Sequence, residues 1–336
     1  MKSNAFAIAM ALALPSYVSA QTAAPSSGQA SGQASVQAYP DRPIRMVLPY
    51  PPGGSTDFTA RILAQRLPAA LGQSIVIDNR GGGGGNIGNA IVAKAAPDGY
   101  TLLVTADPTI TMNPSTYSNL PYNALRDLPA ITQLIHYAYV VVLHPSVPAT
   151  SIKELISYAK SQPGKLRYAH AGVGGGPHLA VELFKMLVGA DMISVPYKGG
   201  GPLMLSLASN ETQLSFATPP SALPHVKSGR VKAIAVTSAQ RSAALPDLPT
   251  IADTGLPGYN VDGWVGMFAP AGTPNPIIER LYSEVVKVLR VPEVKELVLS
   301  GGSEVSDKSI TAMRTKVRDE TAMWAKVIKS TGIKIE

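Results

Sequence analysis

From residue 43 onward, short apolar segments alternate with stretches of helical periodicity, and that alternation confines the chain to the α/β class. In a first series, 44–48, 74–77 and 100–105 read as strands. Between them, 57–71 places Phe58, Ile62, Leu63, Leu67 and Leu71 at helical spacing, and 87–96 forms a second helix. Pro68 is expected to kink or end the first of these helices early. A comparable series follows, with strands 139–143, 166–169, 193–195, 213–216 and 232–236 and helices 152–160, 178–188 and 221–227. The C-terminal part reads as helices 276–290, 293–299 and 310–328. Such βαβ units specify a parallel sheet covered by helices on both faces. Two comparable series point to two α/β domains rather than one large sheet.

The first 38 residues stand outside this pattern. Lys2 precedes a ten-residue apolar run at 5–14, and Val18-Ser19-Ala20 offers the small residues that a signal peptidase reads. The run is too short for a bilayer, which takes about 20 apolar residues. Residues 1–20 are therefore expected to be a signal peptide cleaved near Ala20, and 21–38, rich in Gln, Ser, Ala and Gly, a flexible leader. No later segment is apolar enough to span a membrane, so the exported protein is not expected to be membrane-embedded. With no Cys in the chain, disulfides, thiolate metal sites, iron–sulfur clusters, thiol nucleophiles and a lipidated N-terminal Cys are all excluded. The net charge of +7 is spread thinly, with no four basic residues in a row, so no nucleic-acid partner is expected.

In open α/β sheets, ligands bind where strands lead into helix N-termini. Two such junctions stand out. LPYPPGGSTD, 48–57, runs from a strand directly into a helix: Gly53 and Gly54 permit close backbone approach, and Ser55 and Thr56 can cap the helix. YAHAGVGGGPH, 168–178, has the same build, with bare backbone at Gly172, Gly174, Gly175 and Gly176 and Pro177 at the first helical position. Facing one another, the two loops would clamp an acid through backbone amides.

Other chemistries find less support. Gly83, Gly85 and Gly88 satisfy a GxGxxG spacing with Asp107 19 residues further on, but a run of five glycines meets that spacing almost automatically. Asp78-Asn79-Arg80 also separates that run from its strand. There is no GxSxG elbow, the five His residues show no zinc spacing, and nothing recommends a catalytic carboxylate pair. No catalytic residue, metal or cofactor is therefore expected.

The chain resembles substrate-binding receptors of the tripartite tricarboxylate transporter family, the Bug family of periplasmic solute receptors. The resemblance runs from about Tyr39 to the C-terminus. It is carried by YPPGGSTD, IDNRGGGGGNIG, PDGYTLL, NPSTYSNLPYN, GVGGGPHLAVELFK, VPYKGGGP, VKAIAVTS, LPDLPTIADTGLPGY and APAGTP in that order. It implies a two-domain, venus-flytrap periplasmic-binding fold: one domain of 40–140 plus 262–336, the other of 141–261, with an interdomain ligand cleft. It also implies a periplasmic receptor for a small carboxylate without enzymatic activity, monomeric and partnered by membrane transporter subunits. The alternatives are an exported α/β enzyme such as a hydrolase, and a sensor presenting ligand to a two-component system.

Carried over residue by residue, the resemblance assigns Tyr50, Pro52, Gly53, Gly54, Ser55, Thr56 and Asp57 to the first ligand loop. To the second it assigns Gly172, Val173, Gly174, Gly175, Gly176 and His178. Tyr50 should supply an aromatic wall and a hydroxyl. Pro52 has no N–H and could contact ligand only through its carbonyl. Asp57 is better explained by the helix dipole and by Arg61 four residues on than by ligand contact. Gly175 and Gly176 stand where the family often has Thr and Ser. His178 is expected to order the loop rather than touch ligand, and His170 replaces a small residue. Tyr197, Ala106, Asp107, Ala217 and Thr218 follow strands and are further candidates for the cleft wall.

Overall fold

The computed structural model describes residues 39–331; the expected signal peptide and leader, 1–38, lie outside the described residues. The chain first lays down β1 (Ile44–Leu48), α1 (Ser55–Leu71), β2 (Ile75–Asn79), α2 (Asn86–Ala93), β3 (Thr101–Ala106) and β4 (Ala130–Ala138). It continues with β5 (Val140–Leu143), α3 (Ile152–Ser161), β6 (Arg167–His170), α4 (Gly176–Val188) and β7 (Ile193–Pro196). Next come α5 (Gly200–Ala208), β8 (Leu214–Ala217), α6 (Pro219–Lys227) and β9 (Lys232–Val236). The last elements are β10 (Asp262–Phe268), α7 (Asn275–Arg290), α8 (Pro292–Ser300), β11 (Glu304–Val305) and α9 (Ile310–Thr331).

These strands form two sheets, ordered β11-β4-β10-β3-β1-β2 and β7-β6-β8-β5-β9. Each sheet with its helices makes one lobe of a two-lobed periplasmic-binding fold. The chain passes from the first sheet to the second at Tyr139 and returns between Val236 and Asp262. The sheets are mixed rather than parallel. β10 runs antiparallel between β3 and β4, and β5 runs antiparallel between β8 and β9. The strand that follows each passage, β5 or β10, thus runs against the βαβ direction of its sheet. β4 and β10 escape the sequence pattern because Thr132 and Gln133 are buried within β4, and Gly263 and Gly266 interrupt β10. The apolar alternation that marks a half-buried strand is therefore missing.

Helix α1 continues through Pro68 to Leu71, against the expectation of an early end. Leu63, Leu67 and Leu71 bury along one face, and the helix stops at Gly72, left-handed at φ 72°, whose N–H closes on Pro68 O. Pro68 lies in the last turn, where its missing donor costs a single bond. The C-terminal helices return to the first lobe, α7 on α1 and α9 on β4. The turn that ends α8 also fits tightly against the first lobe, with Gly301 against Phe58 of α1.

The two passages are tied to each other by one side chain. Thr237, fully buried, accepts from Tyr139 N–H at 2.8 Å and donates to Val261 O at 2.7 Å through Oγ1. Its backbone pairs with the same two residues, Thr237 N–H to Tyr139 O and Val261 N–H to Thr237 O. Thr237→Val keeps the volume but strips these backbone groups of their partner. We expect a loss of about 2–4 kcal/mol in urea unfolding; a change below about 0.5 kcal/mol would contradict this role for the tie.

Candidate functional site

Between the lobes lies a cavity of about 80 Å³. That is several times the roughly 10–15 Å³ needed to admit one water, so the cavity has room for a small solute. Its wall is built from helix beginnings. Gly54 to Asp57 open α1, Gly175 to Pro177 open α4, Gly199 and Gly200 open α5, and Thr218 and Ser221 belong to the start of α6. None of these four N-termini has a side-chain cap. In α1, α4 and α5 the first-turn N–H groups of the non-proline residues have no intrahelical acceptor and remain available. Pro219 and Pro220 leave α6 without free amides at its start, so that terminus offers its dipole and the Thr218 and Ser221 hydroxyls.

Glycine is required where the walls meet. A Cβ on Gly176 would overlap the Tyr139 hydroxyl, and one on Gly200 would come within 2.9 Å of Ser221 Cβ. Pro51 of the first lobe packs on Gly199 of the second, and Pro108 packs on Gly176, so the lobes close directly around the cavity. Gly302 meets Pro219 at another point of closure.

The lining is almost free of charged side chains. Asp57 is the one charged residue of the lining, and Arg61 engages both its oxygens at 2.8 and 3.1 Å. No Lys, Arg or His lines the cavity. Four N-termini, each carrying about half a positive charge, can supply up to about two charges in place of a cation. Burial pushes the hydroxyls of Tyr50, Tyr137 and Tyr139 well above the usual phenol range, and Asp107 nearby adds to each shift. All three are neutral donors.

Two hydroxyls carry a stronger message. Ser55 Oγ, on a residue 3% exposed, and the Tyr139 hydroxyl, on one with no exposure, are sealed from solvent without a hydrogen-bond partner. The Tyr137 hydroxyl approaches both without closing a well-formed bond to either. A buried hydroxyl left unpaired costs about 1–3 kcal/mol, and such groups mark where a ligand supplies the missing partner.

Of the residues singled out by sequence, Tyr50, Gly54, Ser55, Thr56, Asp57, Ala106, Gly175, Gly176, Ala217 and Thr218 line the cavity. Pro52, Gly53, Asp107, Gly172, Val173, Gly174, His178 and Tyr197 do not. Pro51 takes the place expected of Pro52, because Gly53 at φ 99° turns the loop and donates its N–H to Asp57. Asp107 sits behind Ala106 and accepts from Trp264 N–H; burial, followed by Glu320, pushes its carboxyl well up. Val173 points outward, 40% exposed. Gly172 and Tyr197 border a wider groove beside the cavity, together with Gly81 to Gly85. Tyr137, Tyr139 and the Gly199–Gly200 start of α5 went unrecognised in the sequence. GGGP before an apolar run is the signal that could have revealed α5, and Tyr139 lay inside a segment read only as a strand.

Comparison with known proteins adds an independent line. The sequence model of the tripartite tricarboxylate transporter family receptor matches residues 59–333. The chain is 36% identical to protein BugT of Bordetella pertussis over 299 residues, 89% of this chain and 92% of that protein. Its structure is similar to that of R. palustris Rpa4515 with adipate, with TM-score 0.86, 36% identity and coverage of 88% and 99%. It is also similar to MatC from Rhodopseudomonas palustris with bound malate, with TM-score 0.81, 31% identity and coverage of 86% and 100%. Among the described residues no group of His, Asp or Glu could hold a metal, and no helix is long and apolar enough to cross a membrane.

Tyr139→Phe separates the two consequences of the unpaired hydroxyl. The unliganded variant should be more stable than the parent by about 1 kcal/mol, while acid binding weakens about tenfold or more. Thermal unfolding and calorimetry read the two effects; unchanged binding would remove Tyr139 from the site. Gly176→Ala should abolish binding through overlap with Tyr139, whereas Gly54→Ala, with open space around the added methyl, should fold and bind within about threefold.

Proposed function

The chain belongs to the tripartite tricarboxylate transporter receptor family, whose members are solute-binding proteins and not enzymes, and from that premise we propose that it captures a small organic acid in the periplasm for uptake by membrane transport subunits. One observation carries the reading: four uncapped helix N-termini converge on a cavity without a cationic side chain. Such a wall suits an anion of one or two charges, and a third carboxylate would exceed what the helix ends supply. The structural relatives carrying adipate and malate support the same class.

On this reading, 40–140 with 262–336 is one domain, 141–261 the other, and the Thr237-tied passages are the hinge. The receptor acts as a monomer. The acid bridges Ser55 and Thr56 of the first domain and Gly176 and Gly200 of the second, contacts available together only when the domains are closed. It therefore stabilises the closed state. Residues 1–20 direct export and are removed near Ala20, so the mature chain should begin at or near Gln21 by N-terminal sequencing.

A thermal-shift panel of mono-, di- and tricarboxylates tests the ligand class. An acid binding the folded state alone stabilises it by about 2.7 kcal/mol at a hundred times its dissociation constant. Dicarboxylates should raise the midpoint most and tricarboxylates least. No shift with any carboxylate, or a shift confined to cations or neutral solutes, would overturn the reading.

A further inference from the structure

We propose that His170 and His178 form a proton-operated latch that holds the 172–176 loop in place and thereby positions the N-terminus of α4 at the cavity; its effect on acid capture rests on the carboxylate reading above. His170 ends β6, is fully buried, and puts Nδ1 2.9 Å from Gly172 O and Nε2 2.9 Å from Ser194 Oγ. A carbonyl only accepts, so Nδ1 carries the proton and Nε2 of the neutral ring accepts from Ser194. His178, in the first turn of α4, accepts the Gly174 N–H at Nδ1 over 3.2 Å, which requires that nitrogen to be bare. The two rings lie 4.3 Å apart between centroids, and Tyr168 stacks on His178 at 6.2 Å. The start of the loop at Gly172 and its middle at Gly174 thus each hang on one imidazole.

A second proton affects the two rings differently. On His170, Ser194 can turn and accept, so the bond to Gly172 survives. On His178, a new N–H would face the Gly174 N–H, donor against donor, and the loop bond is lost. The close approach of the rings prevents both from being charged together. The charged or titratable groups facing the pair are Tyr168 on β6 and Glu182 and Lys185 on α4; β7 contributes uncharged Ser194. Glu182 is itself engaged by Lys185 at 2.8 Å and by the Tyr168 hydroxyl. Burial pulls both imidazoles down. His170 falls to about 4, with His178 adding to the shift, and His178 falls although Glu182 opposes it. Because both stand below the ordinary value of about 6.5, the latched loop is fully stable above that pH and weakens as pH falls through the lowered value of His178.

His178→Asn tests the latch, since Asn Oδ1 can take the Gly174 N–H but cannot take a proton. The first readout uses the full chain without ligand: the exchange protection of the Gly174 amide, by NMR, relative to its intrinsic rate from pH 7.5 to 4.5. Protection should fall tenfold or more in the parent and stay within about threefold in His178→Asn. The second readout is calorimetry with adipate, where the ratio of parent to variant dissociation constants should rise from about 1 to about 10. Adipate's own ionisation cancels in that ratio. A Gly174 amide equally protected at both pH values in the parent overturns the latch, as does a variant that follows the parent's profile. A flat adipate ratio overturns its coupling to capture. If adipate binds neither protein at pH 7.5, coupling of the latch to adipate capture is overturned and the carboxylate panel decides the proposed function separately, while the amide readout still decides the latch.

Discussion

A carboxylate taken out of water forfeits several kcal/mol of hydration, and something in the protein must replace it. On the proposed reading the replacement is backbone: the free amides and dipoles of helix N-termini, gathered at one point from both lobes. Much of the surrounding structure follows from that requirement. Gly176 and Gly200 lack side chains because a Cβ at either would strike Tyr139 or Ser221, which complete the wall. Asp57 is tolerated at the rim because Arg61 neutralises it from the solvent side. The tyrosines stay neutral because burial leaves their hydroxyls as donors with no charge of their own.

The same requirement explains why the site lies between lobes rather than within one. A single sheet delivers helix N-termini along one edge, but enclosing an anion needs donors from opposite sides. Pro51 resting on Gly199 and Pro108 resting on Gly176 show how closely the two edges approach. Tyr139 joins the two levels of the structure. It carries the chain between sheets, is held by Thr237 at its N–H, and presents an unpaired hydroxyl to the cavity. On the proposed reading, a contact to that hydroxyl therefore bears directly on the hinge between the domains.

Much of this was legible in the sequence, for identifiable reasons. The βα alternation and the two glycine-rich junctions are local signals, and α1 and α4 begin where those junctions end. The parallel sheets were not right, because whether β5 and β10 run antiparallel to their neighbours depends on strands far away in the chain. Helix α5 was missed since Gly200-Gly201-Pro202 followed by LMLSLA has no polar face to give it periodicity. That omission hid one of the four termini at the cavity. Pro51 and Pro52 could not be told apart either, as the choice depends on the positive φ of Gly53. Tyr137 lies near the end of β4 and Tyr139 at the sheet-to-sheet passage, which only the assembled fold reveals.

The central claim is that amides, not cations, hold the acid. A crystal structure of the protein grown with adipate tests it most directly. The expected result places carboxylate oxygens about 2.7–3.2 Å from the amides of Ser55 or Thr56 on one side and Gly176 or Gly200 on the other. It also places an oxygen within reach of the Tyr139 hydroxyl, with no Lys or Arg in contact. A carboxylate bound instead by a lysine or arginine outside the cavity, with these amides untouched, would contradict it.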